Sequence, residues 1–454
     1  MKKFLTLILF VLSFQINSQC SKYISAGFFH SVSIKTDGSL WAWGDNHYGQ
    51  LGDGTIAGKM VPTQIGTDTN WQSVSVGAYH SLGIKSNGTL WVWGGNAFGQ
   101  LGDGTNSDRY TPFQIGTDTN WHSIYAGQMH SLAKKTDGTL WAWGSNSNGQ
   151  LGDATFIQRN VPTQIGTASN WQFIWAGGYH SLAIKTDGTL WAWGSNNYGQ
   201  LGIGSIAAKN SPTQVGSQTN WQAISAGQYH SLAVKSDRSL WAWGYNSNGQ
   251  LGDATTINRN LPAQVYAGPD WQTITAGDAF SMGIKTDGTL WTWGANSAHQ
   301  LGDSTNIDKN IPTKIGTDTN WRSITGGQYH SMGINSKGTL WTWGYNYSGQ
   351  LGDGTTIDKL IPTAIICIDV GMQELNFGTH MFAIYPNPAA NLINVKNVTS
   401  RLIEGLVIMD FLGRKVLEQK ENTTQISIEG LNKGIYQLLI TSEGKSYTSK
   451  FIKE

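Results

Sequence analysis

Six histidines recur at one phase of the chain: His30, His80, His130, His180, His230 and His330, with Phe280 where a seventh would stand. A ring of imidazoles would suit metal binding or acid–base work. Ligands of one metal, however, must all lie about 2 Å from it, and equivalent residues of successive units are spread apart. Phe can replace a packing residue but not a ligand. The pattern therefore predicts one locking hydrogen bond, repeated unit by unit, and no metal. Ser31 and its equivalents each follow a histidine or Phe280. Neighbours along a strand point to opposite faces, so no Ser–His nucleophile pair is expected. Asp53, Asp103, Asp153, Asp253, Asp303 and Asp353 follow Gln-Leu-Gly, but Ile203 breaks the series and a second acid five residues on occurs only at Asp108, Asp308 and Asp358. Calcium loops need several oxygen ligands at fixed spacing; Asx-type turns explain the series better. Asn46, Asn96, Asn146, Asn196, Asn246, Asn296 and Asn346 occur in every unit, as side chains that bond their own loop would. No catalytic residue, metal or cofactor is assigned.

These residues ride on a repeat of 50 residues without slippage. W-x-W-G recurs from Trp41 to Trp341, Gln-Leu-Gly from Gln50 to Gln350, and Asn-Trp or Asp-Trp from Trp71 to Trp321. Of 21 tryptophans only Trp175 falls outside the pattern. One unit reads as four strands: 71–77, 80–85, 89–94 and a short one near 112–115, whose Pro112 suits an edge. The Asp-Gly or Asn-Gly between the second and third is a hairpin signal. His80, Leu82 and Ile84 share one face and Ser81 and Gly83 the other, so no charged face opposes an apolar one. Strands buried on both sides look like this. Small sheets packed between similar sheets around an axis make a propeller. An open array would need polar capping repeats, and none is present. The fold class is all-β, with the repeats forming a seven-bladed β-propeller.

The consensus A-G-Q-Y-H-S-L-A-I-K-T-D-G-T-L-W-A-W-G-x-N-x-x-G-Q-L-G resembles the regulator of chromosome condensation repeat family, over roughly residues 20–369. The resemblance implies a seven-bladed propeller. It says less about function, which sits on grafted loops. The founding member is a nucleotide exchange factor for a small nuclear GTPase. Against that role stand an export signal, the lack of a basic tail and equal unit lengths that leave no inserted wedge loop. A secreted bacterial β-lactamase inhibitor, which binds protein through one propeller face, is the nearer precedent.

The chain has 454 residues, a net charge of +1 and only 13% charged residues, so no long-range field draws it to nucleic acid or an anionic membrane. Residues 1–19, with Lys2 and Lys3 before an apolar run from Phe4 to Phe14, read as a signal peptide cleaved after Ser18 or Gln19. The run is too short to span a bilayer, and no membrane insertion is expected. Repeats fill 20–369, a linker 370–381 and a tail 382–454. The tail has no Trp and ordinary alternating strands. Its Tyr385-Pro386-Asn387-Pro388 opening and its end at Lys450 and Lys453 resemble the type A sorting domain of the type IX secretion system of Bacteroidota. That resemblance implies that the all-β, seven-bladed β-propeller is followed by a small β-sandwich sorting domain, with the type IX machinery as a partner and delivery to the cell surface or medium.

Candidate binding residues lie where units differ. Phe29, Tyr79, Tyr179, Tyr229 and Tyr329 precede the repeated histidine, and Tyr48, Phe98, Tyr198 and Tyr347 stand in the loop before Gln-Leu-Gly. Aromatics among Ser, Asn and Gly resemble a paratope; packing of each tyrosine inside its own blade is the alternative. The sixth unit departs most, at Asp278, Ala279, Phe280 and His299, which fits either a functional blade or drift. Cys20 and Cys367 stand three positions apart in repeat phase at the two ends of the ring, so a disulfide is expected to close it. The reading is a non-catalytic module for an extracellular protein or glycan. A carbohydrate-active or other enzymatic propeller and a structural adhesin are the alternatives.

Overall fold

The structure, a computed structural model, describes residues 21–265, 268–365, 382–385, 389–397, 403–410, 414–420, 424–442 and 445–453. The signal segment, the linker, Cys20, Cys367 and Pro386–Pro388 lie outside the described residues.

Each repeat folds as one four-stranded antiparallel sheet with its strands in chain order. In the second repeat these are Trp71–Val76, His80–Lys85, Leu90–Gly94 and Arg109–Ile115. The sequence pattern gave the first three almost residue for residue and shortened the fourth. The second strand is buried along its whole length, as its lack of a charged face requires. The first strands of successive blades touch in a closed ring, Trp321–Gly326 meeting Ser21–Ala26. The outer strand of every blade carries a proline, from Pro62 to Pro362. A residue with no N–H blunts an edge that would otherwise recruit another chain.

The apolar core lies between blades. Leu182, Ile184 and Leu190 of the fourth blade pack on Trp221, Ile224 and Trp243 of the fifth. The closing boundary repeats this, with Met332, Leu340 and Ile365 against Ala26 and Trp43. Within a blade, Trp71 meets Trp91 and Trp93 edge to face at 6.1 and 5.8 Å. Lys85 lies 3.6 Å from the Trp91 centroid and pairs with Asp68 at 2.7 Å, so its buried stem keeps a satisfied charge.

Polar groups lock the same boundaries. The Gln50 carbonyl accepts Ser81 Oγ at 2.8 Å and Trp93 Nε1 at 2.9 Å, both from the next blade. His30 Nε2 meets the same Ser81 Oγ at 3.3 Å. Six histidines do this; at the ring's closure His330 reaches Ser31 at 2.9 Å, and Gln350 O accepts Ser31 Oγ and Trp43 Nε1. The expectation that strand geometry forbids Ser–His pairs is thus corrected. It holds within a blade and fails across the boundary, where the histidine of one sheet faces the serine of the next. The pair is still no nucleophile. Each serine has one proton and gives it to the glutamine carbonyl, so the histidine must donate from Nε2. Its Nδ1 is buried without a partner, and burial lowers its pKa to about 3. Glycine precedes the turn because a β-carbon at Gly177 would stand 2.8 Å from both Gly227 O and His180 Cε1.

The ring closes without an exchanged strand, since the first and last sheets contain only their own repeat. Ser21 N donates to Gly338 O at 3.1 Å, and Gly354 N to Met60 O at 2.9 Å. Equivalent bonds join the other blades.

The second compact unit, 370–454, pairs a three-stranded sheet (Phe382–Tyr385, Leu392–Asn397, Gln425–Ser427) with a four-stranded one (Gly405–Met409, Lys415–Lys420, Gly434–Ser442, Lys445–Lys453). Ile393, Val395, Leu406, Ile408, Leu438 and Phe451 fill the space between them. Tyr385 ends the first of these strands; Lys450 and a buried Lys453 lie on the last.

The lock makes the ring acid-sensitive. The six histidines are held near pKa 3 when folded and take up protons near 6.5 when unfolded. The unfolded state therefore binds more protons between these values, and stability is lost as pH falls through that window. Thermal unfolding from pH 7.5 to 4 should show Tm dropping steeply below about pH 6.5. His180→Ala should cost about 2–3 kcal/mol, whereas His180→Phe, copying Phe280, should cost less and shallow the pH slope. A Tm flat to pH 4 would contradict the lock.

Candidate functional site

Strand direction sorts the loops onto two faces. One carries the short turn between first and second strands (27–29 and equivalents) and the long loop between third and fourth (45–58 and equivalents). The other carries the hairpins and the inter-blade connections. All nine candidate aromatics fall on the first, here called the mouth face.

The long loops are rigid frames. Asn96 Nδ2 donates to Asp103, Thr105 O and Ser107 O, and its Oδ1 accepts Leu101 N. Asp103 also accepts Thr105 N and Oγ1 and pairs with Arg109. Burial pushes its carboxyl up, but the bonds from Thr105 and Arg109 outweigh that and hold it low. The repeated Asn and Asp are therefore consumed inside the loop, as Asx-type turns require.

Aromatics on these frames gather in two arcs. In the seventh, first and second blades, Phe29 lies 6.3 Å from both Tyr329 and Tyr345, and Tyr345 stacks on Tyr347 at 6.4 Å. Phe28 and Tyr48 meet Tyr79 at 5.8 and 5.0 Å. In the fourth and fifth blades, Tyr179 stacks on Tyr229 at 5.4 Å, and Tyr198 meets Tyr229 and Tyr245 at 5.1 and 4.8 Å. The tyrosines before histidine are half-buried and pack across blade boundaries, while Tyr229 and Tyr329 also meet Tyr245 and Tyr345 of their own blades at 6.4 and 6.1 Å. Tyr48, Phe98, Tyr198 and Tyr347 stay 44, 39, 36 and 76% exposed. Phe98 stands on the second blade without an aromatic neighbour among the described contacts. The third and sixth blades offer Met129 and Ala279 instead, and these gaps separate the arcs.

Between the arcs opens an axial cavity of about 490 Å³, lined by the first strands of all seven blades. Two departures from the repeat face it. Tyr125 and Trp175 meet at 4.9 Å with their rings tilted, where other blades place serine or threonine. At the mouth, Asp278 stands where the other blades have Phe28, Ala78, Gln128, Gly178, Gln228 and Gln328. Gln128 Nε2 reaches Asp278 Oδ1 at 3.4 Å, a bond between blades three apart that spans the axis. The Asp278 backbone is tied on both sides, by Gln228 N→Asp278 O at 3.0 Å and Asp278 N→Gly327 O at 3.1 Å. Its carboxyl is half-buried, and desolvation lifts its pKa to about 7 against the opposing bond from Gln128. Burial pushes the neighbouring Tyr229 up to about 12, with Tyr179 and Tyr198 adding to it and the Asp278 charge contributing least.

Sequence reasoning registered Asp278 and Trp175 as exceptions without a place for them. Their shared cavity depends on which face of the first strand looks inward, and that strand lacks a clean alternation. No group of three His, Cys, Asp or Glu that could hold a metal occurs among the described residues.

Comparison with known proteins follows the same division of the chain. The model of the RCC1-like domain matches residues 15–322, and two models of the regulator of chromosome condensation (RCC1) repeat match 321–350 and 337–371. The secretion system C-terminal sorting domain matches 383–454. Among solved structures, human WBSCR16 superposes with a TM-score of 0.66 at 22% identity, over 72% of this chain and 93% of that one. Yeast RCC1 (Prp20) in complex with Kap60 gives 0.66 at 22%, over 76% and 85%. Prp20p of Saccharomyces cerevisiae, solved in a study of its binding to Gsp1p and histones, gives 0.65 at 22%, over 81% and 90%. These likenesses establish the fold.

The Asp278 carboxyl generates a pH-dependent prediction. Its folded pKa lies above the unfolded value near 3.9, so the folded state binds the extra proton and stability falls as pH rises from about 4 to 7. Asp278→Asn removes that loss. The variant should be more stable than the parent at pH 8, by on the order of 1 kcal/mol after allowing for partial solvent screening, with the gain gone at pH 4. Equal differences at both pH values would show that the carboxyl is not held out of water.

Proposed function

The chain belongs to the RCC1-like domain family, and we propose that its propeller is a non-catalytic binding module that captures an extracellular protein through the mouth face. The sorting domain implies export through the type IX machinery to the cell surface or beyond. The observation that carries the reading is the gathering of the variable loop aromatics on one face, in two arcs on hydrogen-bonded loops around a recessed acid. Preorganised aromatics offer large contact area at low entropic cost. Such residues mark the centres of protein interfaces. Prp20p, a relative in fold, is described by its binding to Gsp1p and histones, which supports protein over glycan as the ligand class here.

An enzymatic propeller would need a second titratable group beside Asp278. The other titratable side chains lining the cavity are tyrosines and His122. His122 lies at the far end of its strand, about 20 Å away at the rise of an extended chain. Nucleotide exchange finds no support either, because no repeat carries an insertion that could act as a wedge.

The test is saturable binding of the secreted full chain to envelope and culture-medium proteins, with a glycan panel in parallel. Replacing Tyr48, Phe98, Tyr198 and Tyr347 by Ser should keep the protein folded with a modest drop in Tm from the lost ring contacts and weaken the identified partner at least 10-fold, as loss of two or more aromatic anchors does. A protein partner bound equally by the variant would move the site off the mouth face. Saturation by glycans alone would replace the ligand class.

A further inference from the structure

The axial cavity carries a charge that the repeat does not account for. Its lining includes a single acid, Asp278, and no lysine or arginine. The six equivalent positions are neutral, so this charge is a property of one blade and not of the repeat. A carboxylate can accept about four hydrogen bonds; the Asp278 side chain accepts one, from Gln128 at 3.4 Å, a long and weak contact. No ion pair involves it among the described residues. Its backbone is bonded on both sides to the neighbouring blades, which holds the residue at the mouth of the cavity. Tyr229 and Tyr329 stand close enough to feel its charge, and aromatic faces attract cations as the carboxylate does.

We infer that the axial mouth is a receptor for one alkylammonium or guanidinium group, held by the Asp278 carboxylate opposite Gln128. An anion would be repelled by the only charge in the cavity. A neutral ligand would leave that charge uncompensated. A metal ion would find one carboxylate where several oxygen ligands are needed. An organic cation instead brings several N–H donors to the free lone pairs and displaces the Gln128 contact. Gln228 and Gln328, at the same level of the mouth, offer further amide oxygens to a forked donor. Burial explains why the site waits for a cation: the carboxyl is lifted toward neutrality in its absence.

This deepens the mouth-face reading by naming the chemistry that a partner places on the axis, yet it can be tested without the partner. The secreted full chain would be titrated by calorimetry or NMR with N-acetyl-arginine amide, N-acetyl-lysine amide and glucosamine. Neutral N-acetyl-glutamine amide and glucose are the matched controls. Saturable one-to-one binding of a cation, at least 10-fold tighter than its neutral control, is expected. A preference for the amino-acid amides assigns the cation to a protein and a preference for glucosamine to an amino sugar. Asp278→Asn should weaken binding at least 10-fold with Tm no lower than the parent's, whereas Gln128→Leu, which removes the competing contact, should not weaken it. Equal binding of cations and neutral controls, no saturable binding to the parent chain, or unchanged binding to Asp278→Asn would overturn the inference. Cation binding with an ineffective four-aromatic variant would leave this site standing and reject the rim.

Discussion

One backbone carbonyl ties each blade to the next. The glutamine of Gln-Leu-Gly presents it, and the following blade's serine hydroxyl and tryptophan indole both donate to it, as at Gln50. The histidine of the first blade then donates to that serine. Three motifs far apart in the repeat are therefore parts of one hydrogen-bonded unit, fully buried, in which each donor already has its acceptor. Buried polar groups are costly when a partner is lost. The unit consequently fixes blade spacing and orientation at all seven boundaries and closes the ring without an exchanged strand. Only the boundary after the sixth blade lacks the imidazole, where Phe280 fills its place and Ser331 keeps its bond to Gln300 O at 2.7 Å.

That constraint decides where variation is tolerated. Residues inside the lock, and the Asn and Asp that brace the long loops, have no freedom to serve a ligand. What varies is the outward tip of each loop and the inward face of each first strand. The tips carry the two aromatic arcs; the inward faces carry Tyr125 and Trp175, and the turn after the sixth blade's first strand carries Asp278. The sixth blade combines the absent histidine, the small Ala279 and the acid. The same departures open a gap in the rim and place a charge at its centre.

The repeat made most of the fold legible. Hairpin turns, doubly buried strands and the edge proline each leave a local mark, and seven copies remove ambiguity of register. The loop Asn and Asp were legible for the same reason. The His–Ser contact was not, because period-two alternation describes one strand and says nothing of the neighbouring sheet 51 residues on. The tyrosines before histidine were half legible: their composition suggested a surface, but whether they pack within or across blades depends on blade rotation. Gln128 and Asp278 are 150 residues apart, and their meeting follows only from closing seven units around an axis.

The lock can be read directly by ¹⁵N NMR of histidine-labelled protein. Six rings should carry their proton on Nε2 with a bare Nδ1, and should keep that signature unchanged from pH 7 to 4.5. Protonation of those rings near pH 6.5, or a proton resident on Nδ1, would contradict the account.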